Sequence, residues 1–282
     1  MILVSGAAGK TGLAVIRALV ARGEAVRALV HRFEQVESVQ DAGVQEIVVG
    51  DMRKRVKIEL AVRGVRAVYH ICPNVSPDEL AIGRLGISAA NAAGVNHFVY
   101  HSVLHPQVEA MPHHWLKMRV EEQLFRSGLE YTILQPAPYM QNVLAQWKQI
   151  LRGVYPVPYL PETRLGMVDL QDVAEVAAIV LTEAGHAGAV YELAGEVLSQ
   201  TKVAAILSLQ LGRLVRAEVV PLNVWEQRAR AAGLGDYQVE TLLAMFRYYE
   251  RHGFWGNSRV LGWLLGREAT TFADFVERVA GE

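Results

Sequence analysis

The stretch VSGAAGKTG, residues 4–12, decides how this chain is expected to fold. It follows the apolar run 2–4, which reads as a short strand, and it leads into residues 10–22, where apolar side chains recur at helical spacing. Glycine-rich turns between a strand and a helix are typical of phosphate-binding sites, because the helix start offers free N–H groups and a partial positive charge. Two kinds of phosphate site fit such a turn, a nucleoside-triphosphate loop and a dinucleotide turn.

The glycine spacing separates these two possibilities. A Walker-type loop requires a glycine five positions before the glycine that precedes the lysine, and that position is Val4 here. A dinucleotide turn fits instead: Gly6 would form the tight turn, Gly9 would let the backbone approach a pyrophosphate, and Gly12 would let the helix pack against the sheet. The residues of this turn that we expect to bind the cofactor are Gly6, Ala8, Gly9, Lys10, Thr11 and Gly12.

Short apolar runs alternate with helical patterns through the first half of the chain. Strands are predicted at 2–4, 25–30, 47–49, 67–71, 98–100 and 131–134, and helices at 10–22, 79–93 and 113–126. Strands that are apolar throughout and joined by helices indicate a doubly wound parallel sheet, the Rossmann type of α/β fold. We therefore predict a dinucleotide-binding domain over residues 1–154.

The pattern changes after this domain. Residues 155–164, YPVPYLPETR, hold three prolines and predict a loop that leaves the sheet. Residues 165–184 return to a strand-to-helix pattern and are predicted to rejoin the first domain. From about residue 195 the pattern is mainly helical, so residues 155–282 are predicted to form a smaller region that binds a substrate or a partner.

Composition excludes several classes of protein. The chain has 282 residues and a formal net charge of -1, which gives no electrostatic footprint for nucleic acid or an anionic membrane. Its one cysteine excludes an internal disulfide framework. No apolar run approaches the roughly 20 residues that a membrane span needs. Together with the absence of a signal-peptide pattern, these features predict a soluble, cytoplasmic protein; they leave its oligomeric state open.

The spacing Gly-x-x-Gly-x-x-Gly resembles that of the atypical and extended short-chain dehydrogenase/reductases. Four further segments resemble the NmrA-like family within that superfamily: residues 89–103, 113–142, 166–181 and 188–195. The resemblance runs from residue 1 to about 212, and the last seventy residues or so match loosely. It implies a Rossmann domain, a small and mainly helical C-terminal domain, a cleft between the two, and usually NADP(H) as cofactor.

The end of the second predicted strand bears on the choice of cofactor. An acidic residue about 20 positions beyond the glycine turn would select NAD, whereas His31 and Arg32 stand here and Glu34 comes later. A cation at this point favours the 2′-phosphate of NADP. The family usually has arginine directly after the strand, where this chain has His31. NADP(H) is therefore the preferred cofactor, NAD(H) is possible, and a solvated surface charge is the alternative role of Arg32.

Further cofactor-binding residues follow from the resemblance, each at the end of a predicted strand. They are Asp51, Met52, Ile71, Cys72, Pro73, Ser102, Pro136, Ala137 and Pro138. Asp51 would lie by the adenine edge, or would simply form a turn. Cys72 is expected to be a buried apolar residue rather than a reactive thiol. Ser102 would lie beside the nicotinamide, or would be a plain strand-end hydroxyl.

The predicted helix 113–126 bears on catalysis. Typical short-chain dehydrogenases use Tyr-x-x-x-Lys, in which the lysine lowers the pKa of a proton-donating tyrosine one helical turn away. Lys117 is present here, but His113 stands in place of the tyrosine. Either Lys117 holds the nicotinamide ribose while His113 or a substrate group supplies a proton, or Lys117 binds the cofactor and no chemistry occurs.

Two functions fit these residues. The first is an NAD(P)H-dependent reductase of a small conjugated acceptor such as a quinone, because an electron-poor quinone needs little acid help. The second, known among NmrA-like proteins, is a non-catalytic NADP(H) redox sensor that binds a regulatory protein partner. Tyr139 and Asn142 are the predicted substrate contacts, with a core role as the alternative for Tyr139. The histidines lack the spacing of a metal site, and no nucleophile elbow of a hydrolase occurs.

Overall fold

A computed structural model describes residues 1–281 of the chain. Eleven strands occur in this range: β1 Ile2–Val4, β2 Val26–Val30, β3 Glu46–Val49, β4 Ala67–His70, β5 His97–His101, β6 Tyr131–Pro136, β7 Val154–Val157, β8 Arg164–Gly166, β9 Ala189–Leu193, β10 Val197–Ser199 and β11 Arg216–Val219. Twelve α-helices occur in the same range: α1 Lys10–Ala21, α2 Val36–Gln40, α3 Arg55–Val62, α4 Glu79–Ala92, α5 Pro112–Phe125, α6 Trp147–Ile150, α7 Leu170–Thr182, α8 Gln200–Gln210, α9 Leu222–Ala231, α10 Asp236–His252, α11 Ser258–Leu265 and α12 Phe272–Gly281. None of the helices in residues 1–281 is long and apolar enough to cross a bilayer.

Seven strands form one parallel sheet in the order β3-β2-β1-β4-β5-β6-β9. The pairings of β1 with β2 and with β4 are both parallel, so the chain runs outward from β1 in both directions. The predicted Rossmann fold is therefore confirmed. In such a sheet, ligands bind beyond the carboxyl ends of the strands where the strand order reverses, which here is between β1 and β4.

The core that supports this edge lies between the sheet and helices α3, α4 and α5. Its buried side chains include Leu3, Phe98, Tyr100, Val120 and Ile133, all at most 2% exposed. Close packing explains why two positions of α4 are glycine. A Cβ on Gly83 would lie 2.7 Å from Val120, and one on Gly86 would lie 3.0 Å from the His70 ring. These two glycines therefore let α4 pack closely against α5 and against the end of β4.

The chain divides into two compact units. The first comprises residues 1–107, 113–135 and 173–191, and the second comprises 108–112, 136–172 and 192–281. The domain boundary expected at residue 154 stays a prediction.

In the second unit, two small sheets accompany the helices: β7 pairs with β11 in parallel, and β8 pairs with β10 in antiparallel fashion. The loop predicted over 155–164 is wrong at its start, because β7 runs through Pro156. A two-stranded sheet consists of edge strands, where a residue without an N–H group is tolerated.

Candidate functional site

The glycine turn between β1 and α1 accepts no larger side chain at two of its positions. Gly6 has a φ of +58°, a left-handed conformation that favours glycine, and a Cβ there would lie 2.9 Å from the carbonyl oxygen of Ile71. A Cβ on Gly12 would lie 2.5 Å from the Gly6 carbonyl oxygen and 2.6 Å from that of Ala7. Gly12 thus packs against the turn itself, rather than against the sheet as its spacing had suggested.

The start of α1 is suited to an anion. Its N-cap, Gly9, has no side chain that could accept a hydrogen bond from the first-turn N–H groups. Gly9 and Lys10 are both exposed, and the Gly9 N–H donates to the Gly6 carbonyl at 3.0 Å, which closes the turn. Backbone N–H groups and the helix dipole together favour a phosphate at this position.

The turn is tied to the end of β4 by a serine that sequence reasoning did not single out. Ser5 accepts a hydrogen bond from the Ile71 N–H at 2.9 Å and donates to the Ile71 carbonyl at 3.1 Å. Cys72, next along the chain, is buried, and burial raises the pKa of its thiol, so the group stays protonated. Pro73 is exposed. Ile71, Cys72 and Pro73 therefore lie at the same sheet edge as the glycine turn.

The carboxyl ends of β2 and β3 carry the residues expected to select the cofactor. His31 and Arg32 are exposed, and their N–H groups donate to the Gln35 side-chain oxygen at 3.0 and 3.1 Å. Within residues 1–281, the Arg32 guanidinium forms no ion pair. It is consequently available to a phosphate.

Asp51, unlike Arg32, forms an ion pair in the described part of the protein. The Arg53 side chain donates to both Asp51 oxygens at 3.1 Å, and the Arg53 N–H donates at 2.9 Å. These hydrogen bonds lower the pKa of Asp51. Met52 is half-buried and packs against the core of the first unit.

Lys117 is buried at the carboxyl end of β5 and is held by three groups. Its ammonium donates to Glu79 Oε1 at 3.1 Å and to the His101 carbonyl at 3.0 Å. It also lies 5.1 Å from the centre of the Tyr100 ring, whose hydroxyl donates to the same Glu79 oxygen at 2.7 Å. Glu79 and Tyr100 were not anticipated, since neither belongs to a motif and a glutamate at a helix start usually faces solvent.

His113 lies one helical turn before Lys117 and is buried, so it is not a surface histidine. Burial lowers the pKa of its imidazole to about 2, and the Lys117 charge acts in the same direction. The ring is therefore neutral at ordinary pH. Its Nδ1 has no hydrogen-bond partner within residues 1–281.

Ser102 directly follows β5 and forms a hydrogen bond with a second acid that the sequence did not indicate. Its hydroxyl donates to the Glu121 carboxylate, and the Gln135 side-chain amide lies 3.0 Å from both carboxylate oxygens. Burial raises the pKa of Glu121. Because Glu121 follows Lys117 by four residues, α5 carries His113, Lys117 and Glu121 along one buried stripe.

The remaining predicted residues belong to the second unit. Pro136 ends β6 and is buried, the Ala137 N–H donates to the Leu193 carbonyl at 3.0 Å, and the Pro138 carbonyl accepts from the Val168 N–H at 3.0 Å. Tyr139 is half-buried and Asn142 is exposed. Their roles in binding cofactor and substrate stay predictions. Among residues 1–281, no group of three or more His, Cys, Asp or Glu side chains could hold a metal ion.

Comparison with known proteins places this geometry in context. The model of the NmrA-like family matches residues 1–277. The chain is 31% identical to the NAD(P)H azoreductase of Xenophilus azovorans, over 98% of this chain and 97% of that protein. It is 33% identical to the (4-alkanoyl-5-oxo-2,5-dihydrofuran-3-yl)methyl phosphate reductase of Streptomyces griseus subsp. griseus, over 98% and 96%. It is also similar to the crystal structure of an NADPH-dependent quinone oxidoreductase from Escherichia coli complexed with NADPH, with a TM-score of 0.87 and 28% identity over 99% of this chain and 100% of that chain.

Proposed function

The chain belongs to the NmrA-like family, and we propose that this NAD(P)H-dependent oxidoreductase passes a hydride to a small conjugated acceptor such as a quinone. The observation that carries the proposal is the turn at Gly6, Gly9 and Gly12. Two of its positions exclude a side chain, and the turn presents the uncapped start of α1 at the sheet edge. Such a cradle suits the pyrophosphate of a nicotinamide dinucleotide.

NADPH is the proposed cofactor in preference to NADH. The exposed and unpaired Arg32, with His31 beside it, would hold the 2′-phosphate. Asp51 adds little opposing charge, because Arg53 neutralises it through a two-pronged ion pair. Bound NADPH supplies the hydride. The residues that we propose to hold it are those predicted from the sequence, at the glycine turn and at the ends of the strands.

The proposed acceptor class rests on the relatives. Their names describe the reduction of an azo group, of an oxo-dihydrofuran and of a quinone. Each of these acceptors has a conjugated double-bond system that can take a hydride and hold the resulting charge by delocalisation. We propose Tyr139 and Asn142 as residues that contact the acceptor.

The chain's own residues support hydride transfer without a tyrosine acid. Lys117 is proposed to contact the nicotinamide ribose. His113 was expected as a proton donor, but because its ring is neutral we propose that it donates an N–H hydrogen bond toward the acceptor and does not act as an imidazolium acid. Protonation of a quinone product would then come largely from water or from the acceptor itself.

A purely regulatory function is not favoured, because the full-length relatives at 28–33% identity carry the names of reductases. Binding of a regulatory protein stays an untested expectation. So does a cytoplasmic location, which was inferred from composition.

Turnover with a panel of acceptors tests the proposed function. The protein is mixed with NADPH and quinones or azo dyes, and loss of reduced-nicotinamide absorbance is followed. We expect turnover in the unmodified protein and in the exposed-lysine control Lys202→Ala, and loss of most of it in Lys117→Ala. Tight NADPH binding without turnover on any acceptor would contradict the proposed enzyme and favour the sensor.

A further inference from the structure

The Lys117 ammonium is enclosed in the first unit, with its side chain 6% exposed. A buried ammonium is stable only when a counter-charge or several acceptors replace the water that it has lost. Glu79 provides that charge: its side chain is 0% exposed and its Oε1 lies 3.1 Å from Lys117 Nζ. No other ion pair of Lys117 occurs within residues 1–281.

Glu121 is the other buried acid near Lys117, because it lies one helical turn after that residue. Its carboxylate, however, accepts hydrogen bonds from Ser102 and from Gln135. The two buried acids therefore have different kinds of partner. Glu121 is paired with neutral donors, and Glu79 is paired with the cation.

The position of Glu79 is fixed from two directions. It is the first residue of α4, and its Oε1 also accepts the Tyr100 hydroxyl at 2.7 Å. The face of the same Tyr100 ring attracts the Lys117 ammonium. Tyr100 therefore orients the carboxylate and the cation together, while Glu79 Oε2 has no hydrogen-bond partner in the described chain.

The Lys117 ammonium has more N–H donors than its hydrogen bonds within the protein use. An ammonium group has three N–H donors. One is directed at Glu79 Oε1 and one at the His101 carbonyl. We infer that Glu79 is a positioning residue, which fixes Lys117 so that the third N–H meets a ribose hydroxyl of the nicotinamide cofactor. This inference rests on the cofactor role proposed above for Lys117.

A double-mutant cycle separates positioning from simple support of the fold. The variants are Glu79→Gln, Lys117→Met and the two combined, with Glu122→Gln as the matched control, since Glu122 is a partly exposed glutamate on the surface of α5. NADPH affinity is measured for each by quenching of protein fluorescence. We expect Glu79→Gln to weaken binding by about tenfold in the parent chain and by less than about twofold in the Lys117→Met background. Equal losses in both backgrounds would overturn the inference.

A second readout needs no cofactor. The chain has six lysines, so ε-¹³C labelling gives few signals, and the Lys117 signal is the one that disappears in Lys117→Met. A fixed ammonium should show two distinct ε-proton shifts. We expect them to collapse to one averaged shift in Glu79→Gln and to persist in Glu122→Gln. Persistence in Glu79→Gln would overturn the inference.

The two readouts distinguish failure of this inference from failure of the proposed function. If NADPH does not bind at all, the proposed function fails while the ε-proton signals still report on Glu79. If Glu79→Gln does not fold, the variant that combines it with Lys117→Met tests the counter-ion role of Glu79. Recovery of folding in the combined variant supports that role, and continued misfolding contradicts it.

Discussion

Gly9 and Gly235 have nearly the same backbone conformation, each as the N-cap of a helix. Gly9 has φ −75° and ψ 162°, and Gly235 has φ −73° and ψ 162°. Neither conformation requires glycine, and a Cβ on Gly9 would come no closer than 3.3 Å to another atom, the Gly6 carbonyl oxygen. The stability of the fold alone therefore gives little reason for a glycine at position 9, whereas close approach of a pyrophosphate would give one.

Alanine at these two glycines tests this reasoning. Gly9→Ala should weaken NADPH binding by about tenfold or more, because the methyl group occupies the surface that the phosphates approach. The free energy of unfolding should change by less than about 1 kcal/mol in both Gly9→Ala and Gly235→Ala. Calorimetric titration and urea unfolding measure the two effects. Unchanged NADPH affinity in Gly9→Ala would argue against a pyrophosphate at this turn.

The Arg32 side chain permits a second test at the scale of one residue. Because the Arg32 guanidinium is exposed and unpaired, Arg32→Ala should change the free energy of unfolding little. It should lower the ratio of NADPH to NADH affinity by about tenfold through loss of charge-assisted hydrogen bonds. Arg126→Ala, which removes an exposed arginine directly after α5, should leave the ratio unchanged. A ratio that is the same with and without Arg32 would remove the basis for preferring NADPH.

Single residues also show where sequence reasoning reaches its limit. Gly6 and Gly12 could be found because their spacing reports a local backbone requirement. Glu79 could not, since its partners Lys117 and Tyr100 are 38 and 21 positions away and only the folded sheet brings them together. His113 was recognised by its spacing from Lys117, but its burial depends on the packing of α5, which one helix pattern does not reveal.

Among the elements of the second unit, helix α12 is bound to the rest of the unit by the buried carboxylate of Asp169. Asp169 is 0% exposed and accepts hydrogen bonds from Gln141, Gln171 and the Arg278 guanidinium of α12. Because all three donors share this one buried carboxylate, loss of the carboxylate would leave each of them without this hydrogen bond. The sequence predicted a mainly helical region from about residue 195, but neither the bounds of α12 nor the acid that contacts it.

Removal of that carboxylate should destabilise the protein strongly. Asp169→Ala leaves the Arg278 charge and the Gln141 amide without their acceptor, so we expect a loss of about 3 kcal/mol in the free energy of unfolding. Urea unfolding gives the value. Glu277→Gln removes an exposed charge from the same helix and should change it by less than about 0.5 kcal/mol. If Asp169→Ala matched that control, the network would have no role in stability.

The elements of the first unit could be predicted more fully than those of the second. Strands β1 to β6 are short and apolar, and the intervening helices have clear periodicity, so local patterns match the fold. Strand β7 was missed because Pro156 is a loop signal, and β10 and β11 were missed because strands of three or four residues leave almost no pattern. Their formation depends on partners elsewhere in the chain.

At the scale of the whole molecule, four buried histidines predict sensitivity to acid. Burial lowers the pKa of His70 and of His114 to about 4, that of His101 to about 3, and that of His113 to about 2. The unfolded chain would bind protons at about 6.5, so it takes up protons that the folded chain cannot. The histidines' contribution to stability is therefore fully present above about pH 6.5, decreases as the pH falls from there toward the folded pKa values, and is lost below them. Glu121, whose pKa is raised, acts in the opposite sense.

Each such histidine should lower the free energy of unfolding by up to about 1.4 kcal/mol per pH unit below about 6.5. Urea unfolding at about pH 7.5 and about pH 5.5 should show a decrease of several kcal/mol. The decrease should be smaller in His113→Leu and unchanged in a variant of the exposed His252. A free energy of unfolding that stays constant between these two pH values would show that the histidines are accessible to protons.

We propose that the start of α1 and its glycine turn bind a nicotinamide dinucleotide. The most direct test of this claim is the melting temperature of the unmodified protein during titration with NADPH and with NADH. NADPH should raise the melting temperature in a saturable way, corresponding to about 2.7 kcal/mol of stabilisation at one hundred times its dissociation constant. NADH should require a higher concentration for the same shift. A melting temperature that neither dinucleotide changes would contradict the claim.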